Sequence, residues 1–400
     1  MKYIVERFRR FCGFLTGFVF FFSGIVKLLD PVGAGLVMDE YFSFMHLGFL
    51  SPISKTAGTA FAFAETIIGT ALITGVWRRQ TAIAAMAFQG FFTLLTLALV
   101  IFNPEMDCGC FGEAIHLTHM QTFIKNLVLC ALLAAAFIPL RGLGRPLRRK
   151  FVSFSIVTMS VTAFTFYSWA YIPMVDFTDY KPGTALASAH SSADDMYEAR
   201  FIYEKDGVRE SFDLTHLPDS TWTFVSTETV VKEGYKAPVT LSFTDSDGEY
   251  ADARASEGKV MVISVYDPDM RKGKWIRTAR FITEAGKAGF TPILLTASSA
   301  GEMESILEGL PEDAASALGR CLYHSDRKTL ITMNRSNGGA TYFNDGTLIR
   351  KWAYRALPDS SRLEEVAAGN GIEESIDKDT KGSLGFQGFL LYVFAVMLLL

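Results

Sequence analysis

Phe11-Cys12-Gly13-Phe14-Leu15-Thr16-Gly17-Phe18-Val19-Phe20-Phe21-Phe22-Ser23-Gly24-Ile25-Val26-Lys27-Leu28-Leu29 carries one charge, Lys27, and is long enough as a helix to cross the hydrocarbon core of a bilayer. Residues 56–77, 81–102, 122–140 and 151–172 form four more such runs, two of them uncharged. One such run can be a buried soluble helix; five in close succession predict five spanning helices. From 173 to 383 the composition turns to that of a soluble protein, rich in charge, Pro and Gly. Residues 384–400 are again uncharged and apolar, and predict a sixth span that returns to the starting side.

The chain of 400 residues is half hydrophobic with a net charge of −4, which excludes a nucleic-acid binder and a disordered polymer. Its partners begin with the lipid bilayer. Lys2, Arg7, Arg9 and Arg10 precede the first run, Arg78 and Arg79 separate the second from the third, and Arg141, Arg145, Arg148, Arg149 and Lys150 separate the fourth from the fifth. By the positive-inside rule these segments are cytoplasmic, which places the alternate loops and residues 173–383 outside, the periplasm of a bacterial inner membrane. The basic start followed by an apolar run has no small-residue cleavage site after it and reads as an uncleaved anchor.

Between the third and fourth runs lies Cys108-Gly109-Cys110-Phe111-Gly112, in an acidic loop with Glu105, Asp107 and Glu113. Gly109 permits a backbone tight enough for a strained disulfide, and strained, exposed disulfides are the labile or catalytic kind. A soft-metal half-site and an unreactive pair are the alternatives. Glu65, near the middle of the second run, needs a partner in the membrane, where a lone carboxylate costs roughly 3 kcal/mol. Lys27 is the leading candidate, with His46, His116 and His119 behind it; a protonated Glu65 that only hydrogen-bonds helices together is equally compatible. Cys108, Cys110, Glu65 and Lys27 are thus the candidate catalytic residues.

The Ser23–Pro31 stretch, Glu65 with Gly69 and Gly75, the Arg78-Arg79 turn, the Cys-Gly-Cys-Phe-Gly loop and Lys125-Asn126-Leu127 together resemble the MauE-type methylamine-utilisation membrane proteins, within the wider DoxX-like group. The likeness covers roughly residues 10–140. It implies a four-helix membrane bundle that acts in maturation of a disulfide-rich dehydrogenase beside a thioredoxin-like partner. Lys125 stands where such proteins often have arginine, keeping the charge but not the bidentate geometry.

In the outward half, residues 237–248 read as a hairpin, 260–265 and 291–296 as strands around a helix at 275–288, and 329–333 with 348–352 as a closing hairpin across Asn344-Asp345-Gly346. This order resembles the thioredoxin-like fold of the TlpA and peroxiredoxin type. The domains expected are a MauE/DoxX-like bundle at 1–140, a basic loop and fifth span at 141–172, a β-rich extension at 173–235, a thioredoxin-like α/β domain at 236–370 and the last span at 384–400. The fold class is therefore an all-α membrane bundle with an α/β soluble domain. The place of the active Cys-x-x-Cys reads Tyr266-Asp267-Pro268-Asp269, and Asn337-Gly338-Gly339 stands where the fold usually keeps a cis proline. Such a domain runs no dithiol exchange alone; its two aspartates are expected to cap a helix. Cys12 and Cys130 read as buried hydrophobes and Cys321 as an inert thiol.

Two functions fit. In one, Cys108 and Cys110 cycle between dithiol and disulfide, passing electrons between a periplasmic thiol or disulfide protein and a membrane carrier such as a quinone, with Glu65 handling protons; Cys110→Ser should then trap a partner on Cys108. In the other, the chain is a non-enzymatic assembly factor whose soluble domain docks a client. Few intramembrane charges and no broken-helix pair speak against a transporter.

Overall fold

The computed structural model describes residues 2–399 other than 105, 107, 116, 141–146, 188–196, 206–207, 214–216, 220, 232–238 and 370. Two compact units emerge, one of residues 1–178 with 377–400 and one of residues 179–376.

In the first unit the apolar runs are helices: α1 (Lys2–Leu29), α3 (Ser54–Thr74), α4 (Arg78–Phe102), α5 (His119–Phe137) and α6 (Arg148–Ala170), joined by the C-terminal helix (Gly371–Leu399). Between α1 and α3 stands a further helix, α2 (Pro31–Phe44). Among the described residues, six helices are long and apolar enough to cross a membrane, the sixth at Lys381–Leu399. The basic residues at the start of the chain lie within α1 rather than before it, since no Pro or Gly interrupts the helix there.

Small residues set how α1 and α3 meet. A Cβ on Gly24 would lie 2.7 Å from the Ala62 carbonyl oxygen, and one on Gly69 would lie 2.7 Å from that of Gly17, so only glycine lets the two backbones approach this closely. Three buried threonines of α3 are satisfied locally. Thr66, Thr70 and Thr74 each donate to the carbonyl four residues back, at 2.8, 2.8 and 2.7 Å. Phe21, Ile25, Leu28 and Leu29 of α1 pack with Val157, Val161 and Phe164 of α6 and with Val393 and Met397 of the last helix. Ser153 donates to the Val396 carbonyl at 2.8 Å and Lys150 to that of Met397 at 3.2 Å, so the last helix runs antiparallel to α6.

The second unit holds two sheets. β1 (Tyr197–Lys205), β2 (Val208–Phe212) and β3 (Thr223–Val231) form an antiparallel sheet in the order β2-β1-β3, within the extension expected to be β-rich; residues 206–207 between β1 and β2 lie outside the described residues. β4 (Lys259–Val265), β5 (Thr291–Thr296), β6 (Leu322–His324), β7 (Gly339–Asn344) and β8 (Thr347–Trp352) form the other, in the order β6-β5-β4-β7-β8. β4, β5 and β6 are parallel; β7 and β8 are antiparallel additions. α7 (Lys272–Lys287) makes the β4-to-β5 crossover, α8 (Ala300–Glu308) and α9 (Glu312–Gly319) lead to β6, and α10 (Arg327–Met333) leads to β7; α11 (Ser360–Ala368) follows β8. Alternation in β4 feeds both faces. Met261, Ile263 and Val265 pack with Trp275, Phe281 and Tyr342, whereas Val260 and Val262 pack with Ile293, Leu330 and Phe343.

Three expectations need correction. Residues 329–333 are helix, not strand, because Asp326 caps α10 by accepting from the Thr329 N–H at 2.9 Å. The closing hairpin is β7–β8, and Asp345 and Gly346 both take left-handed φ values, 45° and 71°, as its two-residue turn requires. The hairpin expected over 237–248 is reduced, among the described residues, to isolated bridges at Val239 and Thr244.

Candidate functional site

The cysteine loop connects α4 to α5. Asn103 ends α4 in a left-handed conformation, φ 42°, and Thr118 opens α5 through a capping box in which Thr118 and Gln121 exchange side-chain bonds with each other's backbone. Between these fixed points Gly109 turns the chain at φ 57°, and a Cβ there would clash with Val37 Cγ1 on α2, well inside van der Waals contact distance. Gly109 is thus required twice over, by its backbone and by its neighbour.

Both cysteine carbonyls are pinned to the bundle. The Tyr41 hydroxyl on α2 donates to the Cys108 oxygen at 2.8 Å, and the Ser23 hydroxyl on α1 donates to the Cys110 oxygen at 2.6 Å. Burial, aided by the neighbouring sulfurs, pushes Tyr41 well above the usual phenol range, so it stays a neutral donor. Phe111 sits beside Phe22, ring centroids 6.2 Å apart, and the Lys125 ammonium lies 5.0 Å from its ring centroid, a cation–π contact from α5.

Lys27 and Glu65 meet, as their shared need for a counter-charge predicts: Lys27 Nζ donates to Glu65 Oε2 at 2.8 Å and to Ser23 Oγ at 3.2 Å. The ion pair therefore reaches the cysteine loop through a single hydroxyl, Glu65 to Lys27 to Ser23 to the Cys110 carbonyl. His119 bonds instead to Cys108, with Nδ1 2.9 Å from Sγ. His116 lies outside the described residues, and His46 occupies a turn after α2 at φ 58°.

All five cysteines are thiols in this structure. Cys108 is buried, 4% exposed, and Cys110 is half-buried, so the pair is less exposed than its loop position suggests and its two members differ. A cavity of about 70 Å³ adjoins them. Its walls are the rings of Phe20, Phe61, Phe88 and Phe92, the polar side chains of Gln89, Lys125 and Asn126, the Lys27–Glu65 pair and both cysteines. Asn126 is held for this position by donating to Thr96 Oγ1 at 3.1 Å, and Gln89 by donating to the Asn126 carbonyl at 3.3 Å. The sequence reading passed over Tyr41 and Gln89. Asp30-Pro31 was the signal available for the former: Asp30 caps α2 by accepting from the Gly33 N–H at 3.0 Å with Pro31 at the first helical position.

In the α/β unit the loop after β4 is occupied differently. Asn337 Oδ1 accepts from the Tyr266 and Asp267 N–H groups at 2.9 and 3.1 Å, while its Nδ2 donates to the Asp267 carbonyl at 2.7 Å. Asp267 accepts from the Asp269 N–H at 3.0 Å, and the residue that opens α7, Arg271, makes no side-chain cap. The aspartates therefore shape the loop and do not cap the helix. Cys12 is buried in α1, and Cys130 lies 3.4 Å from the Thr93 hydroxyl. Cys321 is buried in the apolar core, which pushes its thiol up to about 11. Among the described residues no three His, Cys, Asp or Glu side chains group as metal ligands.

Residues 5–139 match the family model of the methylamine utilisation protein MauE. They form a MauE domain. The match takes in α1 to α5 and every group of the loop site, and with the six apolar helices it marks the chain as a multi-pass membrane protein. Residues 197–234, the strands β1 to β3, match a domain of unknown function (DUF8463). Neither a curated protein nor a solved structure matches the chain.

Proposed function

We propose that the MauE domain is a membrane thiol–disulfide site acting on periplasmic proteins, with Cys108 and Cys110 as its redox pair. The observation that carries this reading is the placement of two inequivalent thiols on a glycine turn, one buried and one half-buried, beside a cavity that the Lys27–Glu65 pair also lines. Pairs that exchange electrons need an accessible sulfur for the partner and a second sulfur within reach to resolve it. Cys110 takes the first role and Cys108 the second, which reverses the order expected from the sequence. Glu65, through Lys27 and Ser23, is the proton-handling group, and a membrane quinone is the class of acceptor that suits a cavity walled by aromatic rings and amide donors.

The α/β unit, whose β6-β5-β4-β7-β8 order supports a thioredoxin-like reading, serves in this proposal as a docking module without thiols of its own. In this reading six alternating spans put the segment between the fifth and sixth on the side that carries the cysteine loop, and the basic segments support assigning that side to the periplasm. Work on a methylamine-utilising system, as the name of the matched family has it, is the natural setting. A second reading, a non-enzymatic assembly factor related to DoxX-like bundles, is favoured by the Asn337 clamp, which fills the position where a thioredoxin-like domain would act.

Thiol trapping in intact spheroplasts separates the two. Cys108→Ser should accumulate a mixed disulfide through Cys110 with a periplasmic protein, and an impermeant maleimide should label Cys110 without lysis. Labelling only after lysis would overturn the orientation; a double Ser variant with no trapped species and no phenotype would leave the assembly factor.

A further inference from the structure

We infer that His119 is the acid–base partner of Cys108, holding the proton that this sulfur exchanges whenever the loop disulfide opens or closes. The inference rests on the thiol-exchange reading above and deepens it. His119 Nε2 lies 3.0 Å from the Pro104 carbonyl oxygen, which can only accept, so Nε2 carries hydrogen. In the neutral ring Nδ1 is then the bare nitrogen, and it faces Cys108 Sγ at 2.9 Å. The contact is therefore S–H to N in the reduced loop, with the proton transferable to give a thiolate–imidazolium pair. The histidine is held in this pose because it opens α5 behind the Thr118–Gln121 capping box.

Among the described residues, the titratable groups around Cys108 include Tyr41 and Glu40 on α2, Lys27 on α1, Glu65 on α3, Lys125 on α5 and Cys110 on its own loop; Glu105 and Asp107 lie outside the described residues. α4 packs Leu95 and Leu99 against Cys108. Lys27 and Glu65 pair with each other at 2.8 Å and Tyr41 stays neutral, while His119, with Nδ1 2.9 Å from Sγ, is in direct contact with the sulfur and can take its proton.

Opening then runs as follows. A thiolate of the partner attacks Cys110 Sγ; the partner–Cys110 bond forms, the Cys110–Cys108 bond breaks, and the electron pair leaves on Cys108 Sγ. Imidazolium at His119 gives that sulfur its Nδ1 proton. The partner's second thiolate displaces Cys110, which takes a proton from solvent, so the partner has lost two electrons and the loop has gained them. Closing is the reverse, with neutral His119 as base. A stabilised Cys108 thiolate is the better leaving group, and this selects Cys110 as the sulfur attacked.

The test uses the full-length chain in detergent, with peptide-resolved iodoacetamide alkylation across pH. In Cys110→Ser, Cys108 should titrate at least one pH unit below the ordinary thiol value of about 8.5, and adding His119→Gln should return it to that value or above. Glutathione opening of the wild-type loop disulfide at neutral pH should slow by about tenfold in His119→Gln, the effect of a leaving thiol made roughly two pH units more basic. A Cys108 that titrates at or above about 8.5 in Cys110→Ser overturns the inference without any histidine variant, whether or not His119→Gln folds. Unchanged opening in a folded His119→Gln removes His119 and leaves the exchange reading standing. A wild-type loop that forms no disulfide in oxidising glutathione sinks the exchange reading and this inference with it.

Discussion

The MauE domain and the α/β unit each carry a tight loop against a packed core, and they fill it in opposite ways. In the bundle, Gly109 brings two sulfurs down onto α1, α2 and α5, where hydroxyls, an imidazole and an ion pair meet them. In the α/β unit the loop after β4 has no cysteine, and the Asn337 amide bonds the Tyr266 and Asp267 N–H groups and the Asp267 carbonyl. The first loop sets two thiols beside an imidazole; the second is shaped by an amide and its own aspartates, with no thiol to oxidise. The contrast supports the proposal that thiol exchange resides in the membrane half rather than in the α/β unit.

The comparison breaks most directly at Lys27. Lys27→Met leaves Glu65 buried without its counter-charge and should cost about 3 kcal/mol, read as a lowered thermal midpoint in detergent, with much of the loss recovered in Lys27→Met/Glu65→Leu. Full stability in the single variant would show that Glu65 is protonated and the pair dispensable. Gly109→Ala should cost about 2 kcal/mol from its left-handed backbone and the clash with Val37, and Val37→Ala in the same chain should relieve the steric part. Its exchange rate should fall as well, because the turn positions both sulfurs.

On the other side of the comparison the effects are smaller and carry no redox consequence. Asn337→Ala removes the acceptor for two N–H groups in a part-exposed loop and should cost about 1 kcal/mol, while glutathione opening of the Cys108–Cys110 disulfide stays at the wild-type rate. Cys321 sharpens the contrast through pH. Its folded value is raised from 9.0 to about 11 by burial, so the folded state holds the proton longer. The stability it contributes is fully present below pH 9 and is lost as pH rises towards 11. Cys321→Ala should flatten that alkaline fall, and wild-type Cys321 should resist alkylation at neutral pH.

Much of this was legible beforehand, for physical reasons that differ by region. A span of apolar residues has one solution in lipid, so the helices and the Lys27–Glu65 pairing followed from length and from the cost of a lone charge. The β4-α7-β5 unit and the Asn344-Asp345-Gly346 turn were equally readable from alternation and turn chemistry. What escaped depended on contacts between distant segments. α2 has no long apolar run and announces itself only by Asp30-Pro31; the Cys108–His119 contact joins a loop to a capped helix start; and Thr329–Met333 has strand-like residues overruled by the Asp326 cap. The unequal burial of Cys108 and Cys110 likewise arises from Leu99 and Tyr41 closing over one sulfur, which spacing alone does not report.

The two carbonyl anchors of the cysteine loop have a consequence of their own. Tyr41 and Ser23 grip the backbone with uncharged hydroxyls, and Tyr41 is held far from ionisation. In the proposed exchange neither anchor would gain or lose a proton when the sulfurs do. The scaffold would thus be insulated from that reaction: a turnover would rearrange bonds between side chains while the main chain beneath them keeps its fastenings, and the loop would need no refolding between one cycle and the next.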